Sequence, residues 1–183
     1  MGCIQSSEKK QANHRSLLLL GIDGAGSTTV LYQLVQHERV ETIPTLAFNR
    51  ETLAFEGMKY EIWDIGGNDK VRPLWTKYAR EAHAIIYVVD ATDKTRLPMA
   101  ARELKLFIDD SENNHYPTSK NPLLIFANKQ EMDGAKNVDE MREALGMDSL
   151  PFTNYKIVGC SAKTGDNLND GLHWLTQQLK DPE

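Results

Sequence analysis

The sequence predicts an α/β fold: a mainly parallel central sheet with one antiparallel hairpin at its edge and helices on both faces. Three observations carry that prediction. Apolar runs alternate with helix-length segments along the chain. Two of the runs, Ala84–Asp90 (AIIYVVD) and Leu123–Asn128 (LLIFAN), are almost continuously apolar, as in strands buried on both faces of a parallel sheet. A glycine-rich turn, Gly21–Thr28, joins the first strand directly to the first helix.

The elements follow in order. Ser16–Leu20 reads as the first strand and Thr28–Gln36 as a helix. Ala47–Phe55 and Lys59–Ile65 read as a hairpin turning at Glu56-Gly57. Helical patterns at Thr95–Asp110, Val138–Leu145 and Leu168–Lys180 separate or follow the two apolar strands, with a last strand at Tyr155–Gly159. The polar stretch Ser111–Asn121 reads as a loop. Residues 1–14 form a polar tail, and 15–183 have the length of one domain.

Composition narrows the function classes. Hydrophobic residues at 40% and charged residues at 26% suit a globular chain and not a disordered one. The formal net charge of −5 argues against a nucleic-acid partner, which needs clustered Lys and Arg to meet phosphates. The longest apolar run, Leu17–Leu20, is far too short to span a bilayer, and no apolar leader marks a secretory signal. Two cysteines in unlike contexts, Cys3 and Cys160, suggest a reducing compartment without a structural disulfide; Cys160 reads as a small buried residue.

The turn Gly21-Ile22-Asp23-Gly24-Ala25-Gly26-Ser27-Thr28 has the ingredients of a phosphate-binding loop. Glycines let the backbone wrap an anion, and the helix N-terminus supplies oriented N–H groups. Thr28, followed by Thr29, places a hydroxyl where Mg²⁺ is ligated. The usual lysine is replaced by Ser27. Its ammonium would donate to two phosphates, and charge-assisted bonds of ~1.5–3 kcal/mol each make the loss ~3–6 kcal/mol, two to four decades of affinity. A very tight site survives that and a weak one does not. A glycine-rich turn can also be purely structural.

Four more signals lie downstream in order. Ile43-Pro44-Thr45 offers a loop threonine for Mg²⁺ and the terminal phosphate. Trp63-Asp64-Ile65-Gly66-Gly67 offers Asp64 for a Mg²⁺-bound water and the Gly67 amide for the same phosphate. Asn128-Lys129-Gln130-Glu131 and Ser161-Ala162-Lys163 each follow a strand. Singly each is ordinary loop chemistry; five in order, mostly at strand ends, are not.

This order of motifs resembles the Ras-like GTPases, and WDIGGNDKVRPLWTKY, FANKQE and TGDNLNDGLHWL resemble the Arf family from about Arg15 to Leu179. The resemblance implies a Ras-like P-loop domain binding GDP or GTP with Mg²⁺. It implies a nucleotide-dependent switch that recruits effectors at membranes in vesicle traffic, with an exchange factor and a GTPase-activating protein as partners. The family's effector-facing aromatic triad matches Phe48, Trp63 and Tyr78, which as plain residues also suit core packing. Lys129, Ala162 and Lys163 match positions that flank the base, and Asp23 to Thr29 those around the phosphates.

The chain departs from the family pattern at several positions. Asn68 stands where the family has the Gln that orients attacking water, on a side chain one methylene shorter. Glu131 replaces the Asp that reads the guanine edge, which should weaken guanine preference without abolishing it. Ala47 stands where the family usually has Gly beside the first switch segment. Unaided hydrolysis is therefore expected to be very slow. Lys70 and Arg72 are the nearest cations in chain position that could replace the lost lysine.

Met1-Gly2-Cys3-Ile4-Gln5-Ser6 fits the myristoylation pattern at Gly2, and Cys3 is placed for palmitoylation. One myristoyl chain anchors only marginally, so a second signal is required. Ser6–His14 lacks the apolar phase of the amphipathic helix typical of Arf proteins, and the start looks more like dual-acylated G-protein alpha subunits. The expectation is a monomer in the cytoplasm, peripheral on membranes whatever its nucleotide state. Two function classes remain open: a guanine-nucleotide switch, or a membrane-tethered scaffold that binds nucleotide weakly and never cycles. A P-loop ATPase fits Asn128-Lys129 and Ala162-Lys163 poorly.

Overall fold

The computed structural model describes residues 14–36, 48–114 and 118–180. Gly2, Cys3, Thr45 and Ala47 lie outside the described residues. Six strands form one sheet: β1 (His14–Leu20), β2 (Phe48–Phe55), β3 (Met58–Ile65), β4 (Ala84–Asp90), β5 (Leu123–Asn128) and β6 (Tyr155–Gly159). Their spatial order is β2-β3-β1-β4-β5-β6, with only the β2–β3 pair antiparallel. The helices are α1 (Ser27–Gln36), α2 (Trp75–Ala79), α3 (Leu97–Asn113), α4 (Val138–Ala144) and α5 (Leu168–Leu179).

Alternation along the central strands divides the core in two. Leu18, Leu20, Ile85, Tyr87 and Ile125 pack on one face with Trp75 of α2, Phe107 of α3 and Met141 of α4. Leu17, Leu19, Ile86, Val88 and Phe126 pack on the other with Leu31 of α1 and Leu172 of α5. Because both faces are covered, β4, β5 and the Leu17–Leu20 half of β1 read as almost continuous apolar runs.

Beyond shifts of one or two residues at element ends, three features differ from the sequence reading. β1 starts at His14, inside the segment assigned to the tail, because its parallel pairing with β3 begins at His14↔Lys59. The helix expected to end at Asp110 continues to Asn113. Ser111 is buried there, its hydroxyl donating to the Ile108 carbonyl and sharing a 2.6 Å hydrogen bond with Thr118. A polar letter that satisfies itself inside the core reads as loop in a sequence. Finally, α2 and the 3₁₀ turn before it, Arg72–Leu74, were not anticipated; at five residues α2 is too short to show a period.

Candidate functional site

The singled-out phosphate-loop, metal and base residues within the described segments lie at or near one edge of the sheet, at the C-terminal ends of β1, β3, β5 and β6, where loops of parallel sheets gather. β1 delivers the chain into Gly21, where a Cβ would stand 2.6 Å from the Val88 carbonyl oxygen. Gly24 and Gly26 then adopt φ of +79° and +96°, a region that only glycine enters without strain. At Gly26 a Cβ would also lie 2.5 Å from the Asn128 amide nitrogen. The Val30 amide donates to the Gly26 carbonyl at 2.9 Å, which opens α1 directly from the glycine turn and aims the helix's N-terminal end at the loop.

Two residues of the later motifs hold this loop in shape. Asn128 is buried, donates from Nδ2 to the Ala25 carbonyl at 2.9 Å and accepts the Ala162 amide at 2.9 Å. Lys129, at φ +70°, donates from Nζ to the Gly24 carbonyl at 2.9 Å and to the Asp90 carboxylate at 2.5 Å. Gln130 braces the same segment through the Ala127 and Lys136 carbonyls. Glu131 and Lys163 are exposed at its rim. Beside them Cys160 is fully buried, and burial, with the Glu131 charge, pushes its thiol well above the ordinary range.

At the head of α1 the Thr28 hydroxyl donates to Asp64 Oδ2 at 2.7 Å, and the Asn49 amide reaches the same oxygen at 3.1 Å. Asp64 is fully buried. A hydroxyl and a carboxylate at a helix N-terminus are hard oxygen donors, the chemistry that Mg²⁺ selects. The residues present therefore fit that ion. Gly67 packs directly on the phosphate loop: its carbonyl accepts the Asp23 amide at 3.2 Å, and a Cβ there would stand 2.1 Å from the Gly21 carbonyl oxygen.

Asn68 follows. Its Oδ1 accepts the amides of Lys70 and Val71, both at 3.1 Å, so the side chain closes a local turn that leads into Arg72–Leu74. The short side chain that reaches a water poorly is well suited to its own following backbone. Arg72 is mostly buried and committed: Nε donates to the Gly67 carbonyl at 2.8 Å and Nη1 lies 3.2 Å from Glu103. Lys70 is exposed, and its ammonium forms no ion pair among the described residues.

Phe48, Trp63 and Tyr78 come together, with ring centroids 5.6, 6.2 and 5.8 Å apart. Phe48 is 48% exposed while Trp63 and Tyr78 are partly buried against the core, so the cluster rests on the core and opens on the surface at Phe48. The Arg50 guanidinium stacks 5.0 Å from the Trp63 ring. A cavity of about 200 Å³ lies against Trp63 and Tyr78, lined also by Leu17, Leu18, Lys77 and Ala82. Sequence reasoning missed Asp90 and Arg96 at this edge, since neither belongs to a motif and only the fold carries them there, and it gave Gln130 no role although that residue sits inside the Asn128–Glu131 motif.

No helix among the described residues is long and apolar enough to cross a membrane. The model of the ADP-ribosylation factor family matches residues 2–179. A solved structure of the Arl6 BBS3 small GTPase from Trypanosoma brucei, with bound nucleotide analogue GppNp, superposes with a TM-score of 0.80 at 27% identity. That match covers 91% of this chain and 97% of the other. With a glycine cradle at the end of β1, a Thr28–Asp64 pair beside it and a family match along nearly the whole chain, this protein belongs to the ADP-ribosylation factor family of Ras-like small GTP-binding proteins.

Proposed function

We propose that the chain is a membrane-tethered guanine-nucleotide switch that recruits effector proteins in vesicle-mediated transport and hydrolyses GTP very slowly unaided. One observation carries the reading: the phosphate loop keeps a cradle conformation without its lysine. Positive-φ Gly24 and Gly26 are fixed by Asn128 and Lys129 from the base-binding side. A loop braced by other side chains does not need an ammonium to hold its shape. That the similar small GTPase was solved with bound nucleotide analogue GppNp supports a nucleotide ligand for this chain.

In this reading the loop amides of Gly24 and of Gly26 to Thr28 bind the phosphates, those of Asp23 and Ala25 being used by Gly67 and Ile22, and the alkyl stems of Lys129 and Lys163 flank the base. Glu131 and the Ala162 amide take its polar edge. Thr28, Thr45 and, through water, Asp64 hold Mg²⁺, which when bound neutralises phosphate charge. Gly67 reports the terminal phosphate to the second switch segment, and Phe48, Trp63 and Tyr78 present the partner surface. Slow turnover follows from Asn68, whose Oδ1 serves the local turn. Acylation at Gly2 and Cys3 supplies the tether, placing the chain on the cytoplasmic side of a membrane, as a monomer that an exchange factor and a GTPase-activating protein act upon.

The same use of Asn68, with Ser27, favours a second reading: a tethered scaffold that does not cycle. Denaturing the purified protein and identifying the released nucleotide separates the two. Near-stoichiometric GDP or GTP is expected. A folded protein that releases none, and takes up none from millimolar stocks with Mg²⁺, is the scaffold.

A further inference from the structure

With Ser27 in place of lysine, the phosphate loop has no cation of its own, yet one guanidinium, that of Arg96, donates to its backbone. Arg96 precedes α3 and is remote in sequence. Its Nη1 donates to the Asp23 carbonyl at 2.9 Å and lies 3.3 Å from the Asp23 carboxylate. Nε is fixed by Asp93 at 2.6 Å. Nη2 has no hydrogen bond among the described residues and sits 3.0 Å from where a Cβ on Gly24 would be. Glycine at 24 is what lets the guanidinium rest against the loop.

The Asp23 side chain is 52% exposed, with Arg72 Nη2 3.9 Å from its other oxygen. An oxyanion at the mouth of the phosphate loop is thus flanked by two guanidinia. A phosphate group presents the same acceptor chemistry with more charge. Arg72 is only 12% exposed, with Nε and Nη1 engaged by Gly67 and Glu103, whereas Arg96 is 36% exposed and its Nη2 lies directly against the loop at Gly24. Lys129 is held by Asp90.

Resting on the nucleotide reading above, we propose that Arg96 is the cation that serves the nucleotide's phosphates in place of the missing lysine. The Asp23 carboxylate is its counter-ion when no phosphate is there, and so competes with the nucleotide. A residue that merely braced the loop would behave differently, because brace and partner would then both favour binding.

The test titrates fluorescent GDP and GTP analogues into the full chain with Mg²⁺, using wild type, Arg96→Gln, Asp23→Ala and Arg96→Gln combined with Ser27→Lys. The melting temperature of each without nucleotide checks folding. Arg96→Gln should weaken binding about tenfold to a hundredfold, Asp23→Ala should tighten it, and Ser27→Lys should recover what Arg96→Gln loses. Unchanged affinity in Arg96→Gln, absence of rescue, or equal or weaker binding by Asp23→Ala overturns the assignment. Should Arg96→Gln fail to fold, the sign for Asp23→Ala decides alone. Wild type that binds neither nucleotide removes the nucleotide reading and this inference together; binding that ignores Arg96 removes only the inference.

Discussion

At the scale of single residues, charge near the phosphate loop is balanced in pairs. Asp90 ends β4 half-buried, accepting the Thr92 amide at 2.9 Å, the Thr92 hydroxyl at 2.6 Å and Lys129 Nζ at 2.5 Å. Burial by itself would raise its pKa, but the Lys129 and Thr92 hydrogen bonds prevail and hold the carboxyl below the usual range. The sign follows: the unfolded chain takes up this proton first on acidification. The stabilisation is therefore complete above the ordinary aspartate pKa of about 4 and is lost as pH falls through the lower folded value. Asp90→Asn should cost about 1–3 kcal/mol at pH 7, with the gap to wild type narrowing in acid. Urea unfolding at pH 7 and in the acid range measures both; a gap that stays constant with pH would show that the Asp90 charge contributes nothing. The motif residues Asn128 and Lys129 were legible from sequence, but Asp90 was not. An aspartate ending an apolar strand looks alike whether it faces solvent or a lysine from the next loop.

At the scale of elements, the β2–β3 hairpin is joined to α5 by two side-chain contacts. Glu56 at the hairpin tip meets His173 at 2.5 Å on the surface. Deeper, the Tyr60 hydroxyl donates to Thr176 Oγ1 at 2.7 Å, and that hydroxyl donates in turn to the Leu172 carbonyl at 2.7 Å, with Tyr60 and Thr176 fully buried. The direction of the chain of bonds sets the cost of breaking it. Tyr60→Phe leaves Thr176 still donating to Leu172 and should cost about 0.5–1.5 kcal/mol. Thr176→Val strands the buried Tyr60 hydroxyl and should cost more, about 1–3 kcal/mol. Denaturant midpoints of the two variants give the order, and equal losses would contradict the donor assignment. The hairpin and α5 were each readable from periodicity and from the Glu56-Gly57 turn. Their attachment was not, because a tyrosine in a strand and a threonine in a helix carry no mark of each other across more than a hundred residues of chain.

At the scale of the whole molecule, the sheet gathers the nucleotide loops on one edge. The proposed acyl tether at Gly2 and Cys3 precedes β1, which starts at His14, the end of that strand opposite the phosphate loop. A single myristoyl chain gives a membrane association constant of only about 10⁴ M⁻¹, so residence depends on the second chain. Cys3→Ala should release most of the protein from membranes in fractionation of cells, with nucleotide binding unchanged; full retention would show that the second anchor lies elsewhere. The Arf family's motifs and two-faced strands are local properties of the chain, and local properties survive being written as letters.

The sequence by itself determined the α/β architecture, the family and the position of the altered phosphate loop. Each rests on short-range patterns: two-residue and helical periodicity, glycines where φ must be positive, and motif order. Only the tertiary structure decided which side chains act on that loop. It set Arg96 against Asp23 and Gly24, tied Asn128 to Ala25, and turned the Asn68 Oδ1 back onto its own following backbone. Those pairings join segments far apart in the chain or depend on a local turn, and their geometry exists only once the two cores have closed on the sheet.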